Sequence, residues 1–368
     1  MAKKDIFCSI YNEANKPKKS KVKVIYPQSS KTGPFNSLKD VKNSIFLAGP
    51  CPRDDYRAKD WREKTYGILE NLGFDGYVLN PTNENYNNED ADALKKQTDW
   101  EYEAMHKASA IVFNLDRTKE HPGMTTCVEI ADYWKYPSIY VYCPDDNNMT
   151  PNKYIRIHCE KLGIPIYNTI EDCYAAVVRD LDRPGKTWFT ADTHCGQERT
   201  LNFSKRPYRT VRDMDLDLIS NWNKRVRKND IVYHLGDFGE SFEYLDCLNF
   251  KTLNFVKGNY EKDKIPEIMK DLEKRKDVNI YDNDECTLDS NEFHYICRHE
   301  PVIGKKVPKD TICLHGHIHC RTLVKTNGID VGVDGHLYAP MSQEDVDFFA
   351  NALKQGFYDE NVTSMECK

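Results

Sequence analysis

The stretch Trp188-Phe189-Thr190-Ala191-Asp192-Thr193-His194 is an apolar run that stops on an acid and a histidine. Four runs downstream end the same way. Ile231 to Leu235 is followed by Gly236-Asp237, Leu253 to Lys257 by Gly258-Asn259, and Phe293 to Arg298 by His299. Thr311 to Leu314 leads into His315-Gly316-His317-Ile318-His319. Short apolar runs of this kind read as buried strands. Asp, Asn and His are residue types that hold divalent metals, and open sheets place their sites at the carboxyl ends of strands. Glycines beside three of these ends let the backbone turn tightly. A single strand-end Asp is more often a turn or cap residue. Five such ends in series point instead to one site, with seven ligands around two ions.

Working outward, Asp182-Arg183-Pro184-Gly185-Lys186 separates this region from what precedes it, because adjacent Pro and Gly break regular structure. Strand-like and helix-like runs alternate before the break. Ser44 to Ala48, Gly76 to Leu79, Ala110 to Leu115 and Ser138 to Tyr142 read as strands, and Lys59 to Leu72, Ala93 to Lys107 and Met124 to Trp134 as helices. Short apolar strands between helices predict a mainly parallel sheet covered on both faces. The expected organisation is a basic arm over 1–21, a first domain over 22–183 and a second over 184–368.

The 368 residues suffice for two domains with separate cores. A net charge of -6 counts against general nucleic-acid binding, although the first 23 residues are locally basic. No run approaches 18 apolar residues, and no apolar segment follows the first lysines, so neither a membrane span nor a secretory signal is expected. The 13 cysteines contain no Cys-x-x-Cys pair, which fits reduced thiols in a cytoplasmic protein.

The combined pattern Asp-x-His, Gly-Asp, Gly-Asn, His, Gly-His-x-His resembles the calcineurin-like metallophosphoesterases from Lys186 to about Val346. The resemblance implies a two-sheet α/β sandwich. It implies that Asp192, His194 and His319 hold one metal, that Asn259, His299 and His317 hold the other, and that Asp237 bridges them. Paired ions roughly 3.5–4 Å apart can clamp both oxygens of an in-line displacement. Mixed carboxylate, amide and imidazole ligands suit Mn, Fe, Ni or Zn. One departure stands out. Where the family often has His after Gly-Asn, to help the leaving group depart, this chain has Tyr260, a substrate contact but a poor general acid. That leans toward a good leaving group, or a diester or pyrophosphate bond. Gln197 stands where close relatives often carry His. His234 and His315 read as structural or as supports behind ligands, His336 as a loop residue, and Cys195 and Cys320 as neighbours of ligands.

The first half has neither a Walker A motif nor Gly-x-Gly-x-x-Gly. From spacing alone Thr126-x-x-Glu129 reads as a helix capping box, Glu101 as a solvated residue and Gly49-Pro50 as a turn. Yet Phe46-Leu47-Ala48-Gly49-Pro50, Trp61-Arg62, Leu72-Gly73-Phe74-Asp75-Gly76, Trp100-Glu101 and Gly123-Met124-Thr125-Thr126-Cys127-Val128-Glu129 occur in order. As a set this resembles the nucleoside 2-deoxyribosyltransferase-like family, over about Val22 to Leu181. The resemblance implies a flavodoxin-like, doubly wound parallel sheet. It makes Glu129 the nucleophile at C1′ of the sugar, with Glu101, or else Asp99, protonating the departing base. It puts Gly49 and Pro50 at the substrate, with Arg53 and Arg62 as phosphate contacts or surface ion pairs. An acid that some members carry about six residues before the nucleophile falls near Gly123 here, which leaves hydrolysis, or recognition without turnover, open beside transfer. Relatives often self-associate, so a homo-oligomer is an expectation from resemblance.

The expectation is therefore a bifunctional enzyme acting on a nucleoside or nucleotide. The rival readings are a phosphoesterase with a nucleotide-sensing first domain, and a nuclease.

Overall fold

The computed structural model of the chain describes residues 21–51, 61–119, 122–146, 150–263, 266–281, 284–290, 292–302, 311–321, 324–325 and 328–356. The basic arm, apart from Lys21, and Arg53 lie outside the described residues. Two compact units form. One contains 43–104 and 110–181 with the segment ending at Asn36, and the other contains Asp182 onward with Ser37–Lys42 and Met105–Ser109.

The first unit holds β1 (Lys23–Ile25), β2 (Ser44–Ala48), β3 (Tyr77–Leu79), β4 (Ala110–Asn114), β5 (Ile139–Tyr142) and β6 (Ile166–Tyr167). They form one sheet in the order β1-β3-β2-β4-β5-β6, with every pairing parallel. Helices α1 (Trp61–Asn71), α2 (Ala93–Lys107), α3 (Met124–Tyr133), α4 (Thr150–Leu162) and α5 (Ile170–Leu181) alternate with the strands. This is the expected flavodoxin-like order, widened by one edge strand. The central strands β2 and β4 are buried at every residue, as a sheet covered on both faces demands. The strand order reverses between β2 and β4, so the crevice that such sheets use for ligands opens at Gly49 and just past Asn114.

The second unit has two five-stranded sheets. The first runs β10 (Val278–Tyr281), β9 (Thr252–Val256), β8 (Ile231–His234), β7 (Thr187–Thr190) and β16 (Met341–Ser342), with β16 antiparallel. The second runs β11 (Glu285–Asp289), β12 (His294–Arg298), β13 (Thr311–His315), β15 (Gly328–Asp330) and β14 (Val324–Lys325). Alternation along β7 sorts its two faces. Phe189 joins Leu235, Val256, Tyr295, Leu314 and Ile329 in a core between the sheets. Trp188 joins Val232, Leu253, Phe255 and Trp222, the last from α7 (Val211–Asn223), on the outer face. Between β7 and α7 lies the short helix α6 (Glu198–Phe203), while α8 (Asn259–Asp263) follows β9 directly. The later helices are α9 (Pro266–Glu273) and α10 (Gln343–Lys354). Among the described residues no helix is long and apolar enough to cross a membrane.

A buried carboxylate ties the start of this unit together. Asp230, with no exposed surface, accepts from Arg183 Nη1 and Nη2 (2.8 and 2.7 Å), Lys186 N (2.7 Å), Trp188 Nε1 (2.8 Å) and Arg227 N (2.8 Å). A buried charge is tolerable only when paired and hydrogen-bonded in this way.

Candidate active sites

The five loops that leave β7, β8, β9, β12 and β13 bring their polar ends to one place. Asp192, His194, Asp237, His317 and His319 all sit in the left-handed backbone region, with φ between 48° and 73°. Non-glycine residues there are strained, at roughly 1–3 kcal/mol each, and such strain concentrates at functional sites. The glycines act through space instead. A Cβ on Gly258 would stand 2.2 Å from Asp237 Oδ1, and one on Gly316 2.4 Å from Asp192 Oδ2.

Two ligand sets are visible. Asn259 Oδ1 lies 2.9 Å from His299 Nε2 and 3.0 Å from His317 Nδ1, and those two nitrogens are 3.2 Å apart. Edges of about 3 Å are what an ion ~2.1 Å from each donor leaves between neighbours in six-fold coordination. Asp192, His194 and His319 form a second group, with ligand atoms all within 4.8 Å of one another. Asp237 stands between the sets. Its Oδ2 is 3.6 Å from His194 Nε2 and 3.5 Å from His299 Nε2, while its Oδ1 accepts from Tyr260 N at 2.9 Å.

Tautomers follow from the outer hydrogen bonds. His299 Nδ1 donates to Leu235 O (2.8 Å), His194 Nδ1 to Gln197 Oε1 (3.1 Å) and His319 Nδ1 to Asp334 Oδ2 (2.8 Å). Each therefore turns a bare Nε2 inward, the arrangement expected of metal ligands. Burial pushes His194 well below the usual imidazole range, helped by the Arg206 charge, and burial also lowers His299. Both rings are neutral and able to coordinate. Burial, then the charges of Asp330 and Asp237, pushes the Asp192 carboxyl well up. Asp192 Oδ1 and His194 Nε2 are buried without a hydrogen-bond partner among the described residues. Orphaned lone pairs inside a crowd of carboxylates fit a site built for cations.

Several supports were not assigned from sequence. Arg206, fully buried, donates through Nε and Nη2 to both oxygens of Asp334 (2.8 and 3.0 Å) and through Nη2 and Nη1 to Asp192 O and Thr193 O (2.6 and 2.8 Å). Burial opposes the Asp334 charge, but hydrogen bonds from His319 and Arg206 outweigh it and hold the carboxyl down at about 2. Ser204 Oγ lies 2.9 Å from His319 Nδ1 as a second acceptor. Glu261 accepts from Asp237 N, Phe238 N and Gly258 N (2.9, 2.8 and 2.8 Å), clamping two ligand loops together. His234 donates from Nε2 to Thr193 Oγ1 (3.0 Å), whose own proton goes to Phe238 O (2.8 Å). His315 Nδ1 meets Gly316 O, and His336 Nε2 donates to Asp330 O. Tyr260 is buried, its ring edge-on to His194 at 6.3 Å, and burial raises its hydroxyl pKa.

With that geometry in place the comparisons become informative. Residues 187–349 match the calcineurin-like phosphoesterase superfamily domain. Ahead of it, residues 42–147 match the nucleoside 2-deoxyribosyltransferase like family. An uncharacterized protein of Methanocaldococcus jannaschii is 28% identical over 185 residues, which is 46% of this chain and 93% of that protein. A crystal structure of a protein of unknown function from Aquifex aeolicus covers 45% of this chain and 98% of its own, at 22% identity and a TM-score of 0.35. Residues 187–349 thus match a family that uses divalent metals, and within that span lie groups of side chains able to hold them.

The first unit places Glu129 on α3 and Glu101 on α2 within electrostatic reach of each other. Burial, then the Glu101 charge, pushes Glu129 up to about 7. Burial raises Glu101 too, but Gln97 Nε2 donates to its Oε1 at 2.8 Å and Arg62 pulls the same way. Gln97 is itself fixed by Pro81 O (2.9 Å) and Asn83 Nδ2 (3.0 Å). Asp99 instead pairs with Lys95 at 2.5 Å, on the exposed side of α2. Arg62 corrects an expectation. It is neither a surface ion pair nor an exposed phosphate contact, because it is fully buried and donates to Leu47 O, Gly49 O and Pro50 O (3.3, 3.0 and 3.3 Å). Its charge faces the two acids from behind, and its fork fixes the Gly49-Pro50 turn. The capping box does not form either. The helix starts at Met124 with Gly123 as N-cap, which leaves Glu129 well inside it.

Proposed function

We propose that this chain is a bifunctional enzyme of nucleotide metabolism. Its second domain hydrolyses a phosphate ester with two divalent ions, and its first transfers or hydrolyses an N-glycosidic bond through Glu129. The convergence of Asn259, His299 and His317 on one point, with Asp237 between them and the second set, carries the first activity. The donor chemistry suits Mn, Fe, Ni or Zn, and such ions supply an acidified water and hold the phosphoryl oxygens. The protein's own share is to keep His194 and His299 neutral, to hold His319 through Asp334 and Arg206, and to fix the Asp237 loop with Glu261. Asp237→Asn should abolish metal-dependent cleavage of phosphoesters. Undiminished turnover with metal bound would sink the bridging assignment.

The close pair Glu129 and Glu101 supports the second activity. Two carboxylates within electrostatic reach share one proton more readily than they lose both, and a carboxylate beside a carboxylic acid is the usual equipment of glycosyl transfer. In this reading the Glu129 carboxylate bonds to C1′ as the N-glycosidic bond breaks, and Glu101 delivers the proton that the departing base needs. A second base, or water, then releases the sugar. Gly123 favours a rival reading. It occupies the left-handed region at φ 53°, suited to glycine, near where some relatives carry a further acid. A first domain that binds nucleotides without turning them over would follow. Nucleosides and nucleotides incubated with the parent protein and with Glu129→Ala separate the two. Base release by the parent that vanishes in the variant supports catalysis, and no release by either supports sensing.

A further inference from the structure

We infer that the phosphoesterase site cuts a phosphoanhydride bond, with the guanidinium of Arg199, held over the ring of Tyr260, receiving the charge of the departing phosphate. This rests on the reading of the second domain as a metal-dependent phosphoesterase, and it names the bond that domain breaks. Tyr260 lies against both ligand sets without being a ligand in either. It follows ligand Asn259, its backbone N–H holds the bridging carboxylate of Asp237, and its ring meets His194. It also stands where the family's leaving-group histidine is expected, so the group above its ring is placed to meet whatever leaves.

That group is a cation. Arg199 Cζ lies 5.3 Å from the Tyr260 ring centroid. Its Nε donates at 3.3 Å to Gln197 Oε1, the same oxygen that accepts from His194 Nδ1. Arg199 is thus tied through Gln197 to a ligand of one metal set, and it lies over the neighbour of a ligand of the other. Among the described residues its Nη1 and Nη2 have no hydrogen-bond partner, and the buried Nε2 of Gln197 has none either. Arg199 is exposed, so its guanidinium fork faces solvent beside the metal site, in reach of phosphate oxygens that such a fork binds well.

The bond follows from what such a fork can and cannot do. An arginine gives up no proton, and a phenol does so reluctantly near neutrality. A leaving alkoxide needs a proton, since alcohols are about as weakly acidic as water, with pKa about 15.7. A leaving phosphate does not, because its own last proton has a pKa of about 6. In the proposed step a water oxygen bonds to one phosphorus and the bridging P–O bond breaks. The electron pair leaves on the second phosphate, the water's proton passes to solvent, and the departing phosphate takes none. A fixed cation is then the whole requirement on the leaving side.

The test uses the full-length protein loaded with Mn and four substrates sharing one base. ADP and diadenosine diphosphate are the anhydrides, and AMP and adenylyl adenosine are the alkyl esters. One anhydride should exceed both esters at least 100-fold in kcat/KM. Tyr260→His should raise ester turnover tenfold or more and add an alkaline limb to the pH profile, falling as the imidazole loses the proton it donates. Arg199→Ala should cut anhydride kcat about 100-fold, the usual cost of one charge-stabilising donor, with Mn content unchanged. By calorimetry it should also bind α,β-methylene-ADP about tenfold more weakly than the parent does. Esters cleaved as fast as anhydrides, or an unchanged anhydride rate in Arg199→Ala, would overturn the bond assignment alone. Failure to cleave any of the four would overturn the phosphoesterase reading beneath it.

Discussion

Asp334→Ala tests whether the metal site is held from behind. Asp334 joins two buried groups, since its Oδ1 takes Arg206 Nε and its Oδ2 takes both Arg206 Nη2 and His319 Nδ1. Deleting the carboxylate strands a guanidinium with no exposed surface. Breaking a buried pair from one side costs about 3–5 kcal/mol. Arg206 keeps its bonds to Asp192 O and Thr193 O, so the loss should fall near 3. His319 loses a charged acceptor and keeps the Ser204 hydroxyl at 2.9 Å. Loss of such outer partners costs 10–100-fold in metal affinity, and with Ser204 in reserve the expectation is about tenfold, or ~1.4 kcal/mol. Calorimetric titration with Mn should show two equivalents in the parent. In the variant one should be weakened tenfold, while the site of Asn259, His299 and His317 is untouched. Denaturant unfolding in EDTA reads the first cost. Asp334→Asn should fall between parent and Ala, because one amide orientation still offers its oxygen to His319. Two equivalents at parental affinity, with a stability loss below about 1 kcal/mol, would refute the bracing argument.

Two further outcomes follow from the geometry. Burial and the Glu101 charge raise the Glu129 carboxyl to about 7. Glu101→Gln removes that charge, so Glu129, followed by NMR titration, should ionise at lower pH than in the parent, while the lost proton donor lowers base release. An unmoved titration would count against the pairing. Gly258→Ala would press a methyl onto Asp237, 2.2 Å from Oδ1, and should abolish binding of the second equivalent of metal while leaving the first unit's activity intact. Normal stoichiometry in that variant would mean that the loop yields where the packing says it cannot.

The ligands were legible in sequence because each ends an apolar run, and a strand end is a position that patterning can find. The bracing groups were not. Arg206 lies in a loop and Asp334 in a single 3-10 turn (Val333–Gly335), 128 positions apart, and no periodicity marks either one. Glu261 lies two residues after the ligand Asn259, yet nothing in the sequence marks the three backbone N–H groups it holds. The two errors in the first unit share a cause. Arg62 and Thr126 were read from side-chain type, as a surface cation and a cap. The deciding facts were the complete burial of Arg62 and a helix start at Met124 rather than after Thr126, neither of which a single sequence records.

The five-fold grip on Asp230 bears on where this chain can be divided. The family match begins at residue 187, yet Arg183 and Lys186 supply three of the hydrogen bonds that keep Asp230 satisfied. A fragment beginning at Thr187 would leave a carboxylate sealed under β7 and β8 with its guanidinium gone. One beginning at Asp182 would carry its own counter-ion. Four or five residues of apparent linker, which look dispensable by sequence, are by this reckoning part of the second domain's interior chemistry.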